Sequence, residues 1–218
     1  MKTERILLAG ATGYLGAYIA KELEHREYPT TILTRKRNKT WVDTPCFETT
    51  VAEVTEPGSL SGIMSGIDTV ISTIGITRQK DGFTYMDVDY QGNMNLLKEA
   101  KKAGVKKFIY ISAFNADKLT QLKMCNAKEK FVNELKNSKL DYCVIRPNGF
   151  FPDMKEFLKM ARKGKVELFG DGHFKMNPIH GADLAEVCVN AIGSIEKSIE
   201  VGGPEILTHN EIALLAFK

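Results

Sequence analysis

Three glycines spaced three residues apart, Gly10, Gly13 and Gly16, follow directly on the apolar run Ile6-Leu-Leu-Ala9. Glycine at this spacing suits the binding of an anion. It lets the backbone turn sharply, leaves no side chain between amide groups and a pyrophosphate, and lets a helix pack close to a sheet. The next helix begins with free N–H groups turned toward that anion, so Thr12, Tyr14 and Leu15 between the glycines belong to the same candidate site. A second chemical group is Lys128. Met124, Lys128, Phe131, Val132 and Leu135 recur at helical spacing, which puts an ammonium on the stripe that faces a sheet. A cation there is costly unless it meets a polar partner. The alternative is that its stem snorkels to water.

These groups must be positioned by regular elements. Strand-like runs fall near 5–9, 30–35, 47–52, 69–74, 107–112, 141–146 and 199–202, separated by helix-like runs near 14–24, 58–65, 88–103, 119–137, 153–163 and 182–192. Regular alternation of this kind predicts an α/β fold, a doubly wound parallel sheet with right-handed crossovers. The first strand lacks polar alternation, as expected of a central strand covered on both faces. No linker, repeat or low-complexity stretch divides the 218 residues, so 1–218 reads as a single domain, with about 151–218 as the substrate side. A chain of that length buries roughly 70% of its unfolded surface.

Composition narrows the partners. Lys and Arg exceed Asp and Glu by only three, which gives no case for nucleic acid, and the basic run Lys98 to Lys107 reads as a solvated helix end. The four cysteines (Cys46, Cys125, Cys143, Cys188) contain no Cys-x-x-Cys pair, so neither a disulfide framework nor a metal site is expected. The apolar run after Met1-Lys-Thr-Glu-Arg5 is too short for a signal segment or a membrane span. The expectation is a cytoplasmic protein with a small-molecule substrate, no membrane and no nucleic acid.

The Gly-x-x-Gly-x-x-Gly spacing resembles the signature of the atypical and extended short-chain dehydrogenase/reductase superfamily. The resemblance extends through Asp68-Thr-Val-Ile-Ser-Thr-Ile-Gly75, Val88-Asp-Tyr-Gln-Gly-Asn-Met-Asn-Leu-Leu97, Lys107-Phe-Ile-Tyr-Ile-Ser112, Asp141-Tyr-Cys-Val-Ile-Arg-Pro147 and Asn177-Pro-Ile-His-Gly-Ala-Asp-Leu-Ala185, in family order and over nearly the whole chain. It implies a Rossmann-type domain and a nicotinamide dinucleotide.

For the cofactor end, the resemblance implies contacts at Ser72, Thr73 and Gly75 after the fourth strand and at Pro147, Asn148 and Phe150 after the sixth. Glu53 stands where the family usually has an aspartate near the adenine. At the end of the second strand, Arg35-Lys36-Arg37 replaces the acidic residue that holds a ribose 2′-hydroxyl in NAD-specific folds. A guanidinium can clasp a 2′-phosphate with paired charge-assisted bonds, so NADP(H) is the expected preference, with NAD(H) possible and a solvated basic loop the plainer alternative.

For the catalytic end, family reductases use a Tyr-x-x-x-Lys pair, with a serine or threonine at the end of the fifth strand. The matching window is Met124-Cys-Asn-Ala-Lys128, so the lysine is present and the tyrosine is not. Ser112 and Lys128 are the catalytic candidates, although the family's serine position can also fall on Ala113. Lys128 acts either as a proton donor, as in proteins resembling isoflavone reductases, or only as a cofactor anchor. His173, His180 and Tyr85 are minor candidates for proton transfer, and Asp89 occupies a place where many relatives have asparagine.

The leading expectation is an oxidoreductase acting on a small carbonyl, quinone or flavin-like compound. The rival is a non-catalytic NADP(H)-binding redox sensor or assembly scaffold, resembling NmrA-type regulators and the reductase-like subunit of respiratory complex I. A nucleotide-sugar epimerase or dehydratase-like enzyme is set back by the missing tyrosine. The capping box Thr208-His-Asn-Glu211 predicts a final helix before Lys218. Chains of the resembled family continue for some tens of residues, so a short C-terminus and a shallow substrate pocket are expected.

Overall fold

A computed structural model describes residues 3–36, 45–76, 82–168 and 170–218. Strands β1 (Ile6–Ala9), β2 (Thr30–Thr34), β3 (Phe47–Val51), β4 (Thr69–Ser72), β5 (Lys107–Ile111) and β6 (Asp141–Pro147) join β8 (Ser198–Val201) in a parallel sheet of order β3-β2-β1-β4-β5-β6-β8. Strands β7 (Lys175–Met176) and β9 (Leu207–Thr208) pair antiparallel in a separate ribbon. The helices are α1 (Tyr14–His25), α2 (Asn93–Ala103), α3 (Lys123–Lys136), α4 (Lys155–Ala161), α5 (Gly181–Asn190) and α6 (His209–Ala216).

The period-two geometry of a strand divides each apolar run between two cores. Ile6 and Leu8 join Ile32, Ile71, Ile109 and Ile145 in the layer under α1 and α5, where Ile19, Leu23, Leu184 and Cys188 close the face. Leu7 and Ala9 point the other way, with Val70, Phe108, Tyr110 and Val144 under α2 and α3, against Leu96, Phe131, Val132 and Leu135. Both faces are therefore covered, which is why the central strands carry no polar alternation. Each fully buried Leu, Ile or Phe contributes about 1.5–3 kcal/mol. The exposed polar residues of β3, Glu48 and Thr49, mark it as a sheet edge.

β1 lies between β2 and β4, so the crossovers leaving β1 and β3 run to opposite sides. The crevice at the carboxyl ends of β1 and β4 is the switch point where such sheets bind ligands.

Two expectations are corrected. Residues 58–65 form no α-helix: a 3-10 turn, Pro57–Leu60, gives way to turns in which Gly62 and Gly66 sit at φ +78° and +73°. The run from residue 88 begins not as an α-helix but as a π-helical segment, Met86–Gly92, that feeds into α2. The final helix forms as the capping box predicts: Thr208 accepts from Glu211 N–H while the Glu211 carboxylate accepts from Thr208 N–H.

Candidate functional site

The turn after β1 is built on backbone that side chains would obstruct. Gly10 adopts φ +93°, and a Cβ there would lie 2.3 Å from Thr73 Oγ1. A Cβ on Gly16 would lie 2.1 Å from the Gly10 carbonyl oxygen, so glycine is what lets α1 pack against the turn. Gly13 N–H donates to Gly10 O (3.0 Å), while Thr12 and Gly13 stand exposed at the start of α1. α1 has no side-chain cap and no acidic residue in its first turn, which leaves its positive end open to an anion. Leu15 turns inward to the core. Tyr14 uses its hydroxyl to accept from Gly181 N–H (3.0 Å) and its ring to meet Tyr18 and Phe150 edge-on.

Across the crevice, Thr73 binds Ala9 O through both its N–H (3.0 Å) and its hydroxyl (3.1 Å), tying the β4 exit to the β1 exit. Ser72 donates to Asn93 Oδ1 (2.6 Å), and Asn93 Nδ2 donates to the carbonyls of Asp89 (2.9 Å) and Ile74 (3.2 Å). These bonds fix the π-helical turn that presents Asp89, a carboxylate with no exposure. Asp89 Oδ2 accepts from Ile76 N–H (3.0 Å), and Oδ1 lies 3.0 Å from Lys128 Nζ.

Lys128 is thus an inward lysine, its side chain 12% exposed. Its ammonium also reaches Ile111 O (3.4 Å) and lies 5.4 Å from the Tyr110 ring centroid. Burial alone would push this lysine down, but the facing Tyr110 and Asp89 outweigh it and hold it above the ordinary lysine range. Burial likewise pushes the Tyr110 phenol up to about 12, against the pull of the ammonium. Gly75, exposed at the crevice, is packed against this pair: a Cβ there would meet Asp89 Oδ1 at 2.6 Å and Lys128 Nζ at 3.0 Å.

Ser112 lies in a different cluster. Its hydroxyl donates to Glu129 Oε1 (2.8 Å), and Arg146 clasps both Glu129 oxygens at 2.7 and 2.8 Å. The side chains of Arg146 and Glu129 are 8% and 9% exposed. The carboxylate raises the guanidinium's already high pKa through those hydrogen bonds. This assembly pins α3 to the ends of β5 and β6.

The remaining candidates spread around the crevice rim. Arg35 and Lys36 are exposed at the end of β2, and no ion pair holds either among the described residues; Arg37 lies outside the described residues. The Glu53 carboxylate accepts from Thr55 N–H (3.3 Å), within its own turn. Pro147 closes β6 as a buried residue, Asn148 donates to Asn177 Oδ1, and Phe150 bridges to Ile179. His180 caps α5 by accepting from Ala182 N–H at Nδ1 (3.2 Å), which leaves Nε2 for the Tyr18 hydroxyl (3.4 Å). His173 is exposed in a loop, and Tyr85 borders a cleft of about 360 Å³ between the π-helical segment and the start of α3.

Sequence reasoning found the glycine turn and the inward lysine but not the partners that Tyr110, Glu129 and Asn93 supply. The signal for Asn93 was an Asp89–Asn93 pair at i,i+4 in an otherwise apolar stripe. Tyr110 and Glu129 meet their partners only through tertiary packing. The thiols are unpaired, and burial raises Cys125, Cys143 (to about 11) and Cys188. Among the described residues there is no metal-ligand cluster, and no helix is long and apolar enough to cross a membrane.

Residues 10–194 match a family described as NAD(P)H-binding. The chloroplastic divinyl chlorophyllide a 8-vinyl-reductase of Arabidopsis thaliana is 28% identical over the whole chain, which spans 58% of that relative. A photosystem II assembly factor of Guillardia theta is 26% identical over 96% of the chain and 68% of its own length. The chain therefore spans little more than half of the reductase. Solved structures share the fold at lower identity. A nucleoside-diphosphate-sugar epimerase from Staphylococcus aureus superposes with a TM-score of 0.82 at 20% identity, covering 97% of this chain and 75% of that one. UDP-glucose 4-epimerase from Thermotoga maritima gives 0.80 at 18%, covering 97% and 81%. The chain belongs to the NAD(P)H-binding family of atypical short-chain dehydrogenase/reductase type.

Proposed function

We propose that the protein binds NADP(H) in the crevice between β1 and β4 and acts as an oxidoreductase on a small acceptor. The observation that carries this reading is the Lys128 ammonium, paired with Asp89 inside the fold and lying close behind the exposed Gly75. The residues fit the cofactor: Gly10 and Gly16 stand where any Cβ would collide, and the open start of α1 favours the pyrophosphate charge. Thr12, Gly13, Tyr14 and Leu15 would border that charge. Ser72, Thr73 and Gly75 would flank the central ribose, with Pro147, Asn148 and Phe150 near the nicotinamide and Glu53 near the adenine. Arg35, assisted by Lys36, would hold the 2′-phosphate.

When bound, the nicotinamide supplies a hydride. The chain's own contribution is positional. Ser112 has its proton committed to Glu129, and Lys128 is held above its ordinary range, so neither is a ready acid at neutral pH. Half-buried Met124 cannot donate where the family tyrosine would. This favours acceptors that take their proton from water, such as quinones, flavin-like compounds or a conjugated vinyl group of the kind named for the Arabidopsis relative, over simple carbonyls. The same facts favour a second reading, a cofactor-binding sensor or scaffold without turnover; the Guillardia relative is named an assembly factor. The cytoplasm remains the proposed location on the strength of the unpaired thiols, although the first relatives are named chloroplastic.

Calorimetric titration with NADPH and NADH, followed by oxidation of bound NADPH against quinones, flavins and aldehydes, tests both readings. Oxidation with quinone or flavin supports the enzyme. Tight binding without oxidation selects the sensor. No binding of either dinucleotide contradicts both.

A further inference from the structure

Resting on the cofactor reading above, we propose that Asp89 is the positioning residue for Lys128, seating its ammonium under Gly75 with the Tyr110 hydroxyl as the floor of the seat. The parts come from separate elements. Asp89 lies on the π-helical segment, Tyr110 on β5, Lys128 on α3, and Gly75 on the loop after β4. The π turn is what delivers the carboxylate, and its backbone is braced by Asn93, which Ser72 holds in turn. Such turns within α-helices are enriched at functional sites.

Two observations separate this seat from an ordinary buried ion pair. Asp89 Oδ1 and the Tyr110 hydroxyl are both buried and converge on the one ammonium of Lys128, whereas Glu129, one residue along, is bonded through both oxygens by Arg146 and through one by Ser112. A carboxylate and a phenol that converge on a single ammonium fix where that ammonium sits. The second observation is steric. Gly75 is exposed, yet even a methyl group there would press on both members of the pair, so the seat opens to the crevice through a gap that only glycine leaves.

The seat also governs titration. The groups that face or neighbour Lys128 are Asp89 on the π-helical segment, Tyr110 on β5, and Cys125 and Glu129 on α3 itself, with Glu129 neutralised by Arg146. Asp89 is the acid in direct contact with the ammonium. Removing its charge takes away part of the pull that offsets burial and leaves Tyr110 alone to oppose it, so the lysine moves down.

The test uses the full chain with 13C-labelled lysine, first without and then with NADPH. In wild type the Lys128 resonance titrates after the surface lysines. In Asp89→Asn it titrates earlier than in wild type, and NADPH affinity drops about tenfold with the loss setting in at lower pH. Gly75→Ala, with folding checked by circular dichroism, keeps the charge but disturbs the seat and also weakens NADPH about tenfold. Because the first readout needs no cofactor, the two claims fail separately. An unchanged Lys128 titration in Asp89→Asn overturns the role of Asp89, while wild type that titrates as expected but binds no NADPH overturns the cofactor reading.

Discussion

Lys128 and Glu129 are adjacent on α3, and each pairs with a buried partner from a different element, yet the two pairs differ in how completely they are satisfied. Glu129 is closed on every side: Arg146 takes both oxygens and Ser112 donates to one of them. Lys128 meets Asp89 through a single oxygen, Oδ1, at 3.0 Å, beside the exposed Gly75. A closed polar network makes a helix rigid and its register unique. The closed pair therefore fixes α3 where the more open pair, one residue away, lies beside Gly75.

The comparison breaks first at the closed pair. Arg146→Ala strands the Glu129 carboxylate in the core and is expected to cost about 3–5 kcal/mol in denaturant unfolding. A cost under about 1 kcal/mol would mean that the network does not hold α3.

Lys128→Met is expected to cost less, about 1–3 kcal/mol near neutral pH, because Lys128 meets Asp89 through a single contact whereas Arg146 clasps both oxygens of Glu129. The sign of its pH dependence follows from the direction of the lysine's shift. A lysine raised in the folded state stabilises fully below the ordinary lysine range, and that contribution fades as pH climbs through the higher folded value. The stability gap between wild type and Lys128→Met should therefore narrow at strongly alkaline pH. A gap that widens there would reverse the assignment.

At the rim, Arg35→Ala should leave unfolding unchanged and weaken NADPH about tenfold, or about 1.4 kcal/mol, with NADH unaffected. Equal losses for both dinucleotides would remove the 2′-phosphate contact. The smallest effect is expected far from both pairs, where Thr208→Ala removes the cap of α6 at a cost of about 1 kcal/mol and leaves cofactor affinity as it was.

The sequence made the sheet legible because buried parallel strands read as unbroken apolar runs, and the glycine spacing located the turn. It misled at 58–65, where Leu60, Met64 and Ile67 are buried at near-helical spacing but through turns that Gly62 and Gly66 allow. At the site, Lys128 could be placed from its own stripe. Its partners could not, since Asp89 and Tyr110 reach it from elements 39 and 18 residues away along the chain. Cys125, Ala127 and Glu129 are also buried, so α3 is enclosed on a wider face than a single apolar stripe suggests. A glutamate there reads as a solvated residue until Arg146 is seen beside it.

The most direct test is a calorimetric titration of NADPH into wild type and Lys128→Met at neutral pH, with folding of both verified by circular dichroism. Saturable binding by wild type, weakened about tenfold or more in the folded variant, is the result expected if the open pair serves the cofactor. Equal affinity in the two proteins would contradict it and reduce Lys128 to a packing residue.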